Sequence, residues 1–224
     1  MYFFDPTYFL ILAPALALAA WAQWRIHAAY AEAQKMAAPL SGAGAARHVL
    51  DSAGLSNIDI EQVPGHLTDH YDPRAKVLRL STEVFQSRSL AAVGIAAHEA
   101  GHAIQDARAY APLAIRNAVV PVANFGSGSS MLLFVFGLIM GIKLLVFAGI
   151  VLFSAVVFFQ LVNLPVEFNA SNRAKQQLVA LGIVEAPQMV YVNRVLNAAA
   201  WTYVAATLQS VLMLVYLFMR SDRD

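Results

Sequence analysis

The stretch MLLFVFGLIMGIKLLVFAGIVLFSAVVFFQL, residues 131–161, carries one charged side chain, that of Lys143, and is otherwise almost entirely apolar. As a single helix its 31 residues would measure about 46 Å, which exceeds the hydrocarbon core of a bilayer at about 30 Å. Two membrane-spanning helices fit this length better. We therefore predict a hairpin of spans over about 119–141 and 144–162, with Lys143 at its tip.

Two further apolar segments, residues 8–24 and 199–219, are long enough to cross a bilayer. The first could instead be a cleavable signal peptide, but it lacks a basic start, follows Asp5 and precedes Arg25, so we predict a retained anchor. Only 13% of the residues are charged and 59% are hydrophobic, whereas a soluble domain has about 25% charged residues. The chain is thus predicted to be a multi-pass membrane protein with about four transmembrane helices.

The more polar residues are predicted to form a small α/β portion, which makes the fold class mainly α and integral to the membrane. Cap residues, alternation and turn residues predict its elements: a helix over 41–54, a strand over 57–63, a hairpin over 65–81 with an Asp-Pro turn at 72–73 and a second strand at about 76–81, and a helix from Ser87 or Ser89 to about 108. A further helix over 165–182, capped by Asn163, is expected after the hairpin of spans.

The chain accordingly divides into five predicted segments: an anchor (1–24), the α/β portion (25–117), the transmembrane hairpin (118–162), a helix (163–198) and a last span with its tail (199–224). Most basic residues fall in the second and fourth segments, and Arg25 follows the first span where Asp5 precedes it. By the positive-inside rule these two segments are predicted to face the cytoplasm.

The composition excludes several kinds of site. The net charge is +1, and neither a basic block nor a Gly-rich phosphate loop is present, which argues against a nucleic-acid partner. The chain has no cysteine, so disulfides, Cys nucleophiles and thiolate metal sites are excluded. Histidine and carboxylate side chains remain as strong metal ligands. Apart from Lys143 the spans lack charge, which argues against a transporter.

The predicted helix with the sequence AAHEAGHAIQ, residues 96–105, carries the pattern His-Glu-x-x-His. At about 3.6 residues per turn, His98 and His102 lie about 40° apart on one face, so both rings can reach one metal ion. Glu99 lies beside that face, where it can take a proton from metal-bound water. The alternative is a set of exposed polar residues on an amphipathic helix. No other polar side chain occurs in 90–104, and buried imidazole and carboxylate groups need partners, so we expect a metal site.

A catalytic zinc ion needs a third protein ligand and one open position. Glu167 is one of only two acids in 163–198 and follows a membrane span, where a charge usually marks function. The other acid, Glu185, is expected in a surface loop. The chain between His102 and Glu167 has room for two spans of about 20 residues with their connectors, so Glu167 is favoured. The remaining histidines are weaker alternatives, with His70 next in line: His27, His48, His66 and His70.

Three motifs in this order resemble those of the YugP-like membrane zinc metallopeptidases: LTDHYDPRAKVLRLS (67–81), the His-Glu-x-x-His helix, and LPVEFNASNRA (164–174). The similarity extends more distantly to the HtpX-type membrane proteases. The resemblance implies a gluzincin-like endopeptidase with one zinc ion, held by the two histidines and Glu167, with Glu99 as general base. It also implies a protein or peptide substrate, cleaved beside the lipid bilayer in membrane protein quality control or processing.

The resemblance further implies how a substrate binds. In metalloproteases an edge strand above the zinc helix pairs with an extended substrate. The predicted strand at 76–81 is expected to be that edge, with the residues Val77, Leu78, Arg79 and Leu80. The expected hydrogen-bond donors to the oxyanion are His70, Tyr71 and Arg173.

The sequence departs from the HtpX-type pattern Glu-x-x-Ala-Asp at Ser171, which stands in the place of the acid. Support for a zinc-bound histidine ring is therefore expected to come from elsewhere as well, while Ser171 stays, beside His70, Tyr71 and Arg173, a candidate for contact with the oxyanion or with a metal ligand. Ser171, Asn169 and Asn172 favour an alternative function, a non-proteolytic membrane scaffold or adaptor with a degenerate or structural metal site. Glu99 argues against this alternative, because a structural site needs no base.

Overall fold

The computed structural model describes residues 5–222 and is mainly helical. Within that range the helices are α1 (Pro6–Gln34), α2 (Gly42–Ser52), α3 (Thr82–Gln86), α4 (Leu90–Ala107), α5 (Ala111–Met140), α6 (Lys143–Ala180) and α7 (Met189–Ser221). The strands are β1 (Asp59–Val63), β2 (His70–Asp72) and β3 (Val77–Ser81), and a 3-10 turn, Ala186–Gln188, precedes α7. The predicted mainly α fold with a small α/β portion is confirmed.

Four helices are long and apolar enough to cross a membrane: α1, α5, α6, and α7 together with the turn before it. Each is longer than its predicted span, and α6, with 38 residues, differs most. It runs unbroken through Pro165, where the sequence predicts a new helix capped by Asn163. Proline removes a backbone hydrogen bond and disfavours a helix interior. The helix continues because packing holds its second half, in which Val166, Ala170 and Ala174 are fully buried.

One compact unit consists of residues 5–22, 114–164 and 201–222. Within it, α5 and α6 pack closely through glycines. A Cβ atom at Gly137 would lie 2.6 Å from the backbone nitrogen of Val146, and one at Gly149 would lie 2.7 Å from the carbonyl oxygen of Ser130. Small residues at such positions let two apolar helices approach backbone to backbone. The predicted hairpin of spans is therefore a tightly packed helix pair.

The second compact unit, residues 23–113 and 165–200, contains the sheet. Its strand order is β1-β3-β2, with β1 parallel and β2 antiparallel to β3. The predicted hairpin and the predicted strand before it are both present. Leu78 and Leu80 of β3 are fully buried, in a core that they share with residues of α2 and α4. The sheet is thus held on the helix that carries the His-Glu-x-x-His pattern.

The expectation that Val77–Leu80 forms an edge strand is wrong. β3 is the central strand of the described sheet, because β1 pairs with one side of it and β2 with the other. The hairpin pattern alone leaves one side of the second strand open. Here the chain crosses from one edge to the other between β1 and β2, so that β1 fills that side. The edges of the described sheet are β1 and β2.

The turn between β2 and β3 is fixed by Asp72. Its carboxylate accepts hydrogen bonds from the Arg79 side chain at 2.8 Å and from the backbone amides of Arg74 and Ala75 at 2.9 and 3.1 Å. The Arg79 guanidinium, followed by these two amides, lowers the pKa of Asp72 to about 2. The carboxylate is therefore ionised at neutral pH, where it holds the turn together.

Candidate active site

The helices α4 and α6 bring two histidines and one glutamate together. His98 and His102 lie on α4, and Glu167 lies on α6. The Nε2 atoms of the two rings lie 3.2 and 3.6 Å from the same oxygen of Glu167, Oε2. The three side chains are 13%, 12% and 6% exposed, respectively. We call this group of three the His-His-Glu cluster.

The donor set of this cluster suits a zinc ion. Zinc binds imidazole nitrogen at about 2.0–2.1 Å and carboxylate oxygen at about 2.0–2.2 Å, so the donors of a tetrahedral site lie about 3.3 Å apart. One potential donor atom of each side chain lies within 4.8 Å of the others, and the separations of 3.2 and 3.6 Å match the tetrahedral value. Two imidazoles and one carboxylate leave one position open, as catalytic zinc sites require.

The close approach of α4 and α6 depends on Gly101. A Cβ atom at this position would lie 2.6 Å from the carbonyl oxygen of Ala170, so only glycine allows the two backbones to come this near. Because Gly101 directly precedes His102, the same contact sets the distance between His102 and the turn of α6 that carries Glu167.

The second ring nitrogens, Nδ1, have partners of their own. His98 Nδ1 lies 3.1 Å from the Ser171 hydroxyl group, and His102 Nδ1 lies 3.0 Å from Gln105 Oε1. An amide oxygen only accepts hydrogen bonds, so His102 Nδ1 carries the proton and Nε2 is left free to bind a metal ion. The structure places Ser171, one of the candidates for this support, beside one ring and Gln105 beside the other.

Gln105 is a residue of the candidate site that the motifs in the sequence do not single out. Its side chain is completely buried, and its Nε2 donates to the Val166 carbonyl oxygen at 2.8 Å and to Asn169 Oδ1 at 3.0 Å. The signal was available in the sequence, because Gln105 follows His102 by nearly one helical turn and therefore shares its face. It holds both the His102 ring and the backbone next to Glu167.

Glu99 lies next to the His-His-Glu cluster on α4. Its Oε2 accepts a hydrogen bond of 3.1 Å from the backbone amide of Tyr71. Burial raises the pKa of the Glu99 carboxyl group above its usual value, while the nearby His102 and His98 rings oppose this shift. A half-buried carboxyl group with a raised pKa beside potential metal ligands is suited to accept and release a proton.

The three expected oxyanion donors have other partners in this structure. His70 is exposed, and its Nδ1 lies 2.7 Å from the Thr68 carbonyl oxygen. The Tyr71 hydroxyl group donates to an aspartate of α4 at 2.7 Å. Arg173 donates to Asn169 at 2.7 Å. Their roles toward an oxyanion therefore stay predictions, and none of the three contacts described here involves the His-His-Glu cluster.

The alternative third ligands are separate from this cluster. Among the residues in 5–222, the group that can hold a metal contains one carboxylate, that of Glu167. The weaker candidates are all exposed: His27, His48, His66 and His70. Glu167 is accordingly the side chain that the fold brings to the two histidines.

Comparison with known proteins gives the family of the chain. Residues 8–222 match the model of a family described as "Putative neutral zinc metallopeptidase". The chain is 47% identical over 213 residues to the Bacillus subtilis (strain 168) protein "Putative membrane protease YugP", with 94% of each chain covered. No solved structure matches the chain. Since the family match spans nearly all of the sequence, the chain belongs to the YugP-like family of membrane neutral zinc metallopeptidases.

Proposed function

We propose that this protein is a gluzincin-like endopeptidase in which His98, His102 and Glu167 hold one zinc ion and Glu99 is the general base. The observation that supports the proposal is the convergence of both Nε2 atoms on Glu167 Oε2, at 3.2 and 3.6 Å. When bound, zinc polarises the scissile carbonyl group and lowers the pKa of the attacking water.

The side chains around the cluster supply the proton transfers and the orientation. Glu99 takes a proton from the attacking water on Oε1, since Oε2 already accepts the Tyr71 amide hydrogen. It then delivers that proton to the leaving amine. Ser171 and Gln105 lie against the Nδ1 atoms of the two rings, so that each Nε2 would be left to bind an ion.

A protein or peptide substrate is proposed to lie extended along β2. This strand is an edge of the described sheet, and its middle residue, Tyr71, contacts Glu99 through the backbone. A substrate strand that pairs with this edge would bring a peptide bond beside the base. We therefore propose that the substrate pairs with the strand His70–Asp72, and not with the central residues Val77–Leu80.

The site is proposed to work at the cytoplasmic surface of the membrane. Glu167 lies on the same helix as the predicted span 144–162, shortly after its end. The distribution of basic residues favours the cytoplasm for this side. Loops and unfolded segments of membrane proteins are within reach of such a site, which supports a role in membrane protein quality control or processing.

Metal content per chain, measured on detergent-purified protein, tests the ligand set. The wild-type protein is expected to hold about one zinc ion, and Glu167→Ala is expected to lose it because two imidazoles alone bind zinc weakly. Glu185→Ala removes the other, exposed acid of 163–198 and is the matched control. A folded wild-type protein without metal would contradict the proposal.

The base is tested separately with Glu99→Gln. This variant is expected to keep zinc but lose cleavage of fluorescein-labelled casein, because an amide accepts a hydrogen bond but not a proton. Turnover retained by Glu99→Gln would exclude Glu99 as the base. If wild type and variant capture the same partner equally and neither cleaves it, the scaffold alternative is correct.

A further inference from the structure

Tyr71 contacts α4 twice, once through its backbone and once through its side chain. The backbone amide donates to Glu99 Oε2 at 3.1 Å, and the hydroxyl group donates to Asp106 Oδ2 at 2.7 Å. Glu99 and Asp106 are about two helical turns apart and therefore share a face of α4. Tyr71 thus lies along the face that carries the proposed base.

The backbone contact uses a group that the sheet leaves free. In an antiparallel pair the backbone groups of alternate residues point toward and away from the partner strand. The Tyr71 amide, in the middle of the three-residue strand β2, donates to α4 instead of β3. Among the residues in 5–222 it is the one hydrogen-bond donor to the Glu99 carboxylate. The orientation of Glu99 therefore depends on where β2 lies.

The side-chain contact is partly buried and charge-assisted. Tyr71 is 8% exposed, and the Asp106 oxygen that accepts its hydroxyl also accepts a hydrogen bond from Lys76 Nζ. Burial, and after it the Asp106 carboxylate, raise the pKa of the Tyr71 phenol well above its ordinary value. The hydroxyl group is therefore protonated at neutral pH and donates to Asp106.

The strand β2 needs such an anchor. It has three residues and pairs with β3 on one side only. The segment before it contains Gly65 and Leu67, both in the left-handed region with φ of 109° and 56°, so it is a turn that adds no strand pairing. Few ladder hydrogen bonds protect a strand of this length from local opening. The bond between Tyr71 and Asp106 ties β2 directly to α4.

We propose that Tyr71 is a positioning residue for Glu99. Its phenol, anchored on Asp106, holds β2 against α4, and its backbone amide then fixes Glu99 Oε2 and leaves Oε1 free to take the proton. The inference rests on the proposed role of Glu99 as base. It also assigns a hydrogen-bond partner to the substrate: because the Tyr71 amide is occupied, a substrate strand on β2 donates to the Tyr71 carbonyl oxygen.

Hydrogen exchange of the Tyr71 amide tests the contact without any need for cleavage. Exchange is measured by mass spectrometry on full-length, zinc-loaded protein in detergent, on peptides that contain residues 70–72. Tyr71→Phe and Glu99→Ala are each expected to speed exchange of this amide about tenfold or more, while the amides of β3 keep their protection. Asp106→Asn keeps an oxygen for the phenol and should exchange like wild type. Equal exchange in wild type and Tyr71→Phe would overturn the proposal.

Kinetics with fluorescein-labelled casein test the consequence for catalysis. Tyr71→Phe is expected to lower kcat about 10- to 100-fold with zinc content unchanged, because the base is misoriented while the metal ligands on α4 and α6 stay in place. Asp106→Asn should recover most of the kcat that Asp106→Leu loses. Tyr191→Phe removes a hydroxyl group from α7 and is the matched control. If zinc content, unfolding midpoint and kcat instead fall together, Tyr71 has only a structural role.

Failure of this inference differs from failure of the proposed function. If the wild-type protein cleaves casein and Tyr71→Phe has the same kcat, Glu99 is still the base but Tyr71 does not position it. If the wild-type protein binds zinc and cleaves no casein, the exchange experiment by itself shows whether Tyr71 holds Glu99.

Discussion

Gln105 links the two helices of the candidate metal site although it is not one of the ligands. Its oxygen faces His102 on α4, and its nitrogen donates to the Val166 carbonyl and to Asn169 on α6. The bond to His102 fixes the ring that would bind the ion, and the two bonds to α6 fix the backbone beside Glu167. One buried amide therefore acts on two of the three proposed ligands.

The variant Gln105→Met keeps much of the side-chain volume and removes both polar atoms. We expect zinc affinity to fall about 10- to 100-fold, as is typical when a ligating histidine loses its second partner. The free energy of unfolding of the zinc-free protein should fall by about 1–3 kcal/mol, because His102 and Val166 lose a buried hydrogen bond. Chelator competition and urea unfolding measure the two effects. Gln176→Met, exposed on α6, is the control; unchanged zinc affinity in Gln105→Met would refute the role.

Individual residues of the site differ in how far the sequence predicts them. His98 and His102 follow from the helical period, and the same period also points to Gln105. The Tyr71 amide could not be predicted, since a backbone N–H carries no residue identity. Its contact with Glu99 exists only because β2 lies at the edge of the sheet beside α4, which is a property of the pairing and not of a motif.

Gly101 limits how closely α4 and α6 can approach. In Gly101→Ala the new Cβ atom would lie 2.6 Å from the Ala170 carbonyl oxygen, so the helices must separate. We expect the free energy of unfolding to fall by about 1–3 kcal/mol and zinc affinity to fall about tenfold or more, which corresponds to about 1.4 kcal/mol. Urea unfolding and chelator competition measure these losses.

The control for this change is Gly44→Ala on α2, where the nearest atom to the new Cβ lies at an ordinary 3.5 Å. Replacing this helical glycine should be neutral or stabilising by up to about 1 kcal/mol. If Gly101→Ala binds zinc as tightly as wild type, the separation of α4 and α6 does not limit the site, and the cluster tolerates more movement than the contact indicates.

The helices and strands were predicted well where a local pattern defines them and poorly where packing does. Alternation and an Asp-Pro turn predicted the hairpin of β2 and β3, but the parallel pairing of β1 with β3 is a contact between distant residues. Pro165 predicts a helix boundary, yet α6 continues through this proline. The helix continues because buried residues of α4 and α6 hold the second half of α6 in place. Tertiary packing outweighs the local cost of proline in this case.

The predicted membrane topology rests on four apolar helices and on the distribution of basic residues. Four spans are expected to place the two ends of the chain on one side of the membrane and the two segments with the proposed site residues on the other. Lys143, which separates the two halves of the transmembrane hairpin, is then expected on the side of the chain ends. The orientation of the protein in the membrane can therefore be tested at two positions, one near each end of α6.

The absence of native cysteine allows a direct test, because each introduced thiol is the only one in the chain. Lys143→Cys and Glu185→Cys replace exposed residues near the two ends of α6. A membrane-impermeant maleimide is expected to label Lys143→Cys in intact cells and Glu185→Cys only after permeabilisation, since basic segments stay in the cytoplasm. The reverse pattern would put the His-His-Glu cluster outside the cytoplasm and exclude cytoplasmic segments as its substrates. Labelling of both positions in intact cells would contradict the span 144–162 itself, because no bilayer would then separate the ends of α6.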